Sequence, residues 1–172
     1  LEAAVAALNA DEVENKVTVN LKKGTYNVTG NEKLTIRRAN VTLKGEGNAT
    51  IIDCGAYSNS GQGGIIVDAD NVTIEDLKVI TSGDKNVSAI KVTALEEIED
   101  EMRLVKDVVI KDVTVSSTGS GVNLHGTKDA VVDGLTVEKA GKVGISLANS
   151  VNVTVKDTTA LDGTCAWGSI GM

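Results

Sequence analysis

An all-β solenoid, a parallel β-helix built of stacked coils, is the fold this sequence predicts, and three observations predict it. One nine-residue phrase recurs without gaps as Asp107-Val-Val-Ile-Lys-Asp-Val-Thr-Val115, Asp129-Ala-Val-Val-Asp-Gly-Leu-Thr-Val137 and Asn152-Val-Thr-Val-Lys-Asp-Thr-Thr-Ala160, with starts 22 and 23 residues apart. The phrase stands earlier as Asn71-Val-Thr-Ile-Glu-Asp-Leu-Lys-Val79, and its first half as Asn40-Val-Thr-Leu-Lys-Gly45. A fixed period of this size marks a solenoid, whose units bury their apolar faces only by stacking on one another.

Each phrase carries the alternation of a strand: Val72 and Ile74 share one face, Thr73 and Glu75 the other. At the sixth position stand Gly45, Asp76, Asp112, Gly134 and Asp157, residue types that tolerate a left-handed backbone where a strand turns sharply. A second short strand follows, as in Leu77 and Val79 or Leu135 and Val137, and a third lies upstream of each phrase: Gly64-Ile-Ile-Val67, Ala89-Ile-Lys-Val92, Gly121-Val-Asn-Leu124 and Gly144-Ile-Ser-Leu147. Three strands and three turns per period describe one coil.

These residues, with Lys23-Gly-Thr-Tyr26 and Leu34-Thr-Ile36 standing where a first coil begins, resemble the right-handed parallel β-helices of the pectin-lyase-like superfamily over nearly the whole chain. That resemblance implies a right-handed solenoid. It names no activity, because the superfamily holds pectate lyases, polygalacturonases, epimerases, phage tailspikes and non-catalytic surface adhesins.

In chain order, residues 1–11 are expected to form a capping helix, with Leu1, Val5 and Leu8 on one stripe amid alanines, because an open coil end exposes unpaired backbone and apolar side chains. The alternative, a helix lying on a membrane surface, lacks basic residues. Val17–Leu21 alternates and enters the first coil, Gly24 turns the chain, and a first full coil runs from Leu34 to Asp53. Polar loops are expected at Gly55–Gly63 and Thr81–Val87. Asn71 and Asp107 lie 36 residues apart, and the excess, residues 94–106, places Leu95, Ile98, Met102 and Val105 at helical spacing. It reads as a short helical insertion whose carboxylates Glu96, Glu97, Glu99, Asp100 and Glu101 form a solvated face, since no Asp-x-Asp-x-Asp-Gly calcium loop accompanies them. Gly168-Ser-Ile-Gly-Met172 reads as the opening strand of another coil, so the chain is expected to be a piece of a longer β-helix, or to associate end to end through an uncapped C-terminal coil.

Cys54 and Cys165 follow the last strands of coils about four apart, which at ~4.8 Å per coil separates the sulfurs by about 19 Å, so both are expected to be free. Six Asn-x-Thr/Ser sequons begin at Asn27, Asn40, Asn48, Asn71, Asn86 and Asn152; three are simply the repeat phrase. A net charge of −7 argues against nucleic acid, and no apolar run is long enough to span a membrane.

Enzymes of the superfamily place substrate along the outward face of the upstream sheet. Alignment of those strands puts Thr35, Ile66, Lys91, Asn123 and Ser146 in one outward file and Arg37, Asp68, Thr93, His125 and Ala148 in a second. By that resemblance, a lyase would need clustered acidic calcium ligands with an Arg or Lys base; only Asp68, with Asp70 near it, offers carboxylate close to Lys91. A hydrolase needs two carboxyl groups roughly 5 to 9 Å apart, and the files show no such pair. His125, beside Gly126, reads as a turn residue or, in a catalytic setting, as a general base. A row of Thr114, Thr136 and Thr159 is explained by β-propensity.

Two functional classes follow. The first is a non-catalytic, secreted or cell-surface module, adhesin-like, that binds glycans or partner proteins through Arg37, Asp68, Lys91, Asn123 and His125 without a cofactor. The second is a pectate-lyase-like or polygalacturonase-like enzyme fragment with Lys91, Asp68 and His125 at its centre, calcium entering only in the lyase-like case.

Overall fold

The structure, a computed structural model, describes residues 1–11, 15–28, 34–57, 63–83, 85–94 and 103–161. A helix α1 (Glu2–Asn9) precedes β1 (Val17–Asn20), β2 (Gly24–Asn27), β3 (Leu34–Ile36), β4 (Val41–Lys44), β5 (Thr50–Tyr57), β6 (Gly63–Val67), β7 (Thr73–Gly83), β8 (Ser88–Val92) and β9 (Val105–Lys106). Then come β10 (Val109–Ser117), β11 (Ser120–His125), β12 (Thr127–Lys128), β13 (Val131–Asp133), β14 (Thr136–Ala140), β15 (Ile145–Ala148), β16 (Thr154–Lys156) and β17 (Thr159–Ala160).

Strand pairing is parallel throughout, and each strand pairs with its counterpart one coil away. β1, β4, β7, β10, β13 and β16 lie side by side in that order, and β3, β6, β8, β11 and β15 form a separate five-stranded wall. Inside, like stacks on like: Val19, Leu43, Ile74, Ile110, Val132 and Val155 are register partners in one continuous column. Leu34, Ile65, Ile90, Val122 and Ile145 form another on the five-stranded wall. β-Branched and leucine side chains fill such columns because each sits on the pleat over another aliphatic side chain, and burying each one fully stabilises the coil by roughly 1.5–3 kcal/mol.

The corners are set by left-handed residues. Asp76 (φ 56), Asp112 (φ 50), Gly134 (φ 69) and Asp157 (φ 50) adopt the predicted conformation at the sixth position of the phrase. β7 and β10 bend at Asp76 and Asp112 without losing their ladders, so two walls of the solenoid count as one sheet. Gly45 departs from the expectation: its backbone is not left-handed, and glycine is needed there because a side chain would collide with the carbonyl oxygen of Asp76. A second left-handed column stands at the first position of the phrase, formed by Asn40, Asn71, Asp107, Asp129 and Asn152. Here side chains also bond along the axis, Asn71 Nδ2 donating to Asn40 Oδ1 and Asn152 Nδ2 to Asp129 Oδ1. Short amides and carboxylates tolerate this backbone conformation far better than branched residues do.

Several boundaries differ from the sequence reading: Gly55–Tyr57 and Gly63, assigned to a loop, belong to β5 and β6. Val105–Lys106, assigned above to a helical insertion at 94–106, is strand β9 and pairs with Thr127–Lys128; residues 95–102 lie outside the described set. Thr81, assigned to a loop, belongs to β7, where it is buried and donates to Ser117 Oγ at 2.8 Å, one coil on. The C-terminal strand expected at Gly168–Met172, the carboxylate run 96–101 and Cys165 also lie outside the described residues. Cys54 is a free, buried thiol, and burial pushes its pKa up to about 12. In two of the sequons the hydroxyl residue, Thr50 or Ser88, is itself buried. No helix among the described residues is long and apolar enough to cross a membrane.

Candidate functional site

The outward face of the five-stranded wall is in the register expected from the sequence. Thr35, Ile66, Lys91, Asn123 and Ser146 are successive partners across β3, β6, β8, β11 and β15. In the second file His125 pairs with Ala148, while Asp68 N donates to Ile36 O and Thr93 N to Val67 O, which carries the ladder beyond the strand ends. Coils ~4.8 Å apart therefore present these side chains as two parallel rows.

The environment along those rows changes from one end to the other. At the first coil α1 lies against β3, Thr35 is buried and Arg37 remains exposed. At the second, Ile66 is buried although it points outward, and Asp68 retains only 8% of its exposure. Asp68 Oδ1 accepts a hydrogen bond from Arg103 Nη2, and the same nitrogen donates to the Asp68 carbonyl at 3.0 Å. Arg103 Nη1 also lies 3.8 Å from Asp70, whose carboxylate accepts the backbone N–H of Lys106 at 2.9 Å. Asp68, a candidate binding and catalytic residue on sequence grounds, is thus a buried carboxylate neutralised by a guanidinium. A charge in that position would be costly without its partner. Thr93, next in the file, is likewise buried.

Beyond this covered stretch the face opens. Lys91, Asn123, His125 and Ser146 are all half-buried, and His125 Nε2 lies 3.3 Å from Asn149 Nδ2. Side chains shorten toward the last coil, from Lys91 to Asn123 to Ser146 in one file and from His125 to Ala148 in the other. The structure therefore groups Lys91, Asn123, Ser146 and His125, and it separates them from Arg37, which lies two coils before Lys91. Asp68 is the single carboxylate in the ten residues of the two files, so among the described residues these files present donors and cations but no pair of carboxyl groups for acid–base cleavage. No group of three or more His, Cys, Asp or Glu side chains among the described residues is placed to hold a metal ion.

Arg103 and Asn149 were not among the residues singled out from sequence. Arg103 was hidden by the helical reading of 94–106, although extending the phrase at Asp107 four residues upstream aligns Lys106 with Asp70 and Arg103 with Val67, beside Asp68.

Comparison with solved structures shows the same architecture. The A-module of the mannuronan C-5 epimerase AlgE6 from Azotobacter vinelandii aligns with a TM-score of 0.58 and 17% identity, over 92% of this chain and 52% of that one. A pectin methylesterase crystallised with a hexasaccharide aligns with a TM-score of 0.51 and 15% identity, over 93% of this chain and 62% of that one. The chain thus spans about half the length of the first and less than two thirds of the second, and at these identities the likeness is one of fold. No curated protein sequence matches the chain. A family model described as "Right handed beta helix region" matches residues 39–170, which contain every copy of the repeated phrase. The coils, their register and this match agree, and the protein belongs to the right-handed β-helix family.

Proposed function

We propose that this protein is a non-catalytic, secreted or cell-surface module that binds polysaccharide along the outward face of its five-stranded wall. The observation that carries the reading is the state of Asp68: the one carboxylate in the two files is buried against Arg103, while Lys91, Asn123, His125 and Ser146 beyond it remain accessible. Hydrolysis of a glycosidic bond draws on two carboxyl groups, and lyase chemistry of the pectate type draws on acid-held calcium; a row of amides, hydroxyls and cations serves binding instead. Support also comes from the fold, which is shared with an epimerase named for mannuronan and with a pectin methylesterase crystallised with a hexasaccharide. With Arg37, Lys91 and Arg103 on or beside this face of an otherwise acidic chain, acidic glycans are the preferred class.

The test is titration calorimetry against polygalacturonate, alginate and a neutral glucan, with product analysis of each mixture. The expected result is binding of the acidic polymers, indifferent to chelator and without product. Lys91→Ala should weaken it about tenfold, the loss expected for one charge-assisted hydrogen bond. Release of unsaturated uronides or new reducing ends, abolished by Lys91→Ala, would establish the pectate-lyase-like or polygalacturonase-like alternative instead.

A further inference from the structure

Within the accessible stretch of the candidate face, two polar side chains meet at one corner of the coils. His125 closes β11 and pairs with Ala148 of β15, so the residues that follow, Gly126 (φ 66) and Asn149 (φ 49), turn left-handed at the same corner. Asparagine tolerates that backbone, and its short amide reaches back one coil, Nδ2 lying 3.3 Å from His125 Nε2. An amide nitrogen only donates, so Nε2 accepts in this arrangement and the ring is neutral, with its proton on Nδ1. A proton added to Nε2 turns that acceptor into a donor. The contact is then lost unless the Asn149 amide rotates to present Oδ1, and the imidazolium is left in need of an acceptor.

The neighbouring strands supply no charged one. β11 itself and β15 carry no other titratable residue. β8, on the other side, contributes Lys91 one coil back, followed by buried Thr93, whose hydroxyl donates to the Ala94 carbonyl at 3.3 Å. Past the corner, Val105 N donates to Gly126 O, which brings the segment of Arg103 alongside; that guanidinium holds Asp68, and Asp70 accepts the N–H of Lys106. β12 adds exposed Lys128, and the Asp129 after it accepts from the amide of Asn152. Among the described residues, cations border the ring, the three carboxylates of this region are engaged elsewhere, and no carboxylate pairs with the imidazole. By register His125 lies two residues along and one coil on from Lys91, a Cα separation of about 8 Å, so one polymer chain on this face can meet both.

We propose that His125 is a proton-gated binding residue of this face: charged, it takes a uronate carboxylate of a bound acidic glycan as a second cation beside Lys91; neutral, it is held by the Asn149 amide and offers that carboxylate no charge. The inference rests on the reading of the face as a surface for acidic glycans. Histidine is the side chain that ordinarily changes charge between about pH 5 and 8, whereas carboxylates stay ionised and lysines stay charged across that range. Proton and polymer then promote each other's binding by reciprocal linkage.

The experiment is titration calorimetry of the full chain against polygalacturonate at about pH 5.5, 6.5 and 8 and constant ionic strength, the middle point repeated in buffers of different ionisation enthalpy to count protons taken up. Wild type is expected to bind about tenfold more tightly at the lowest pH than at the highest, the gain of one charge-assisted hydrogen bond, and to take up protons at the middle one. His125→Gln should lose both the gain and the uptake, and His125→Lys should bind as tightly at the highest pH as at the lowest. In the protein without polymer, the side-chain amide resonances of Asn149 should move as the His125 ring titrates, with circular dichroism confirming that each variant is folded. Equal wild-type affinity at the two extremes, or a gain that a folded His125→Gln chain retains, would overturn the proposal and leave the glycan reading standing. Absence of binding to polygalacturonate and to alginate at every pH would overturn both.

Discussion

Ile110 and Val155 occupy the same interior column, two coils apart, yet they should respond very differently to truncation. Ile110 has no exposure and lies between Ile74 and Val132, whereas Val155 is 41% exposed in the last described coil. Ile110→Ala removes three buried carbon atoms, worth roughly 0.8 kcal/mol each in transfer, and leaves a cavity that the fixed backbone ladders on both sides cannot close, for a loss of about 3–4 kcal/mol. Val155→Ala removes two carbon atoms from a half-wetted site and should cost less than about 1 kcal/mol. Urea denaturation followed by circular dichroism measures both, the midpoint carrying the comparison if the slopes agree. Because a solenoid's stability is a sum over coils and their interfaces, the interior lesion should also broaden the transition. Equal losses for the two variants, or a loss below about 1 kcal/mol for Ile110→Ala, would refute the stacked-column account of stability.

Three further outcomes follow from the polar columns and the buried thiol. On the outward face of the large sheet, Lys44, Glu75, Lys111, Asp133 and Lys156 alternate in charge from coil to coil. Lys44 is raised above the ordinary lysine pKa chiefly by its hydrogen bond to Glu75 at 2.7 Å, and Lys156 by Asp133 at 2.9 Å. A raised cation stabilises fully below its unfolded pKa and stops doing so as pH climbs through the folded one. The melting temperature should therefore hold to about pH 10 and fall above it, with a smaller fall in a Lys44→Met/Lys156→Met variant. In the left-handed column, Asp107 and Asp129 lie on adjacent coils where Asn71 and Asn40 bond directly, so Asp129→Asn should remove a like-charge contact, add a donor and raise stability by about 0.5–1 kcal/mol in thermal melts. Cys54, buried and raised to about 12, should resist iodoacetamide at pH 8 until denaturant is added.

Several single contacts organise the molecule across its coils. Lys78 Nζ reaches Glu138 Oε2 at 2.5 Å, over the intervening Thr114, which is buried as a result. That pair explains why a lysine stands at the position that Thr114, Thr136 and Thr159 hold on the following coils: it is held by a partner two coils away. A methyl group added at Gly63 would fall 2.8 Å from Lys91 Cβ, so glycine at the start of β6 leaves room for the lysine of the candidate face.

The repeated phrase and the strand upstream of it were enough to determine the coil, its strands and the register of the outward files, because period-two alternation and a fixed repeat leave one stacking in which most apolar residues face inward. The left-handed corners at Asp76, Asp112, Gly134 and Asp157 were legible too, since few residue types accept that backbone. Tertiary structure alone decided that Asp68 is covered by Arg103, that Asn9 of α1 bonds to Thr35 of β3 and that Lys78 answers to Glu138, pairs separated by 35, 26 and 60 residues. It alone decided, too, that Gly45 serves a close approach rather than a turn. A repeat encodes what every coil shares. Contacts made once, between side chains from different coils, depend on distances in space that no local pattern specifies.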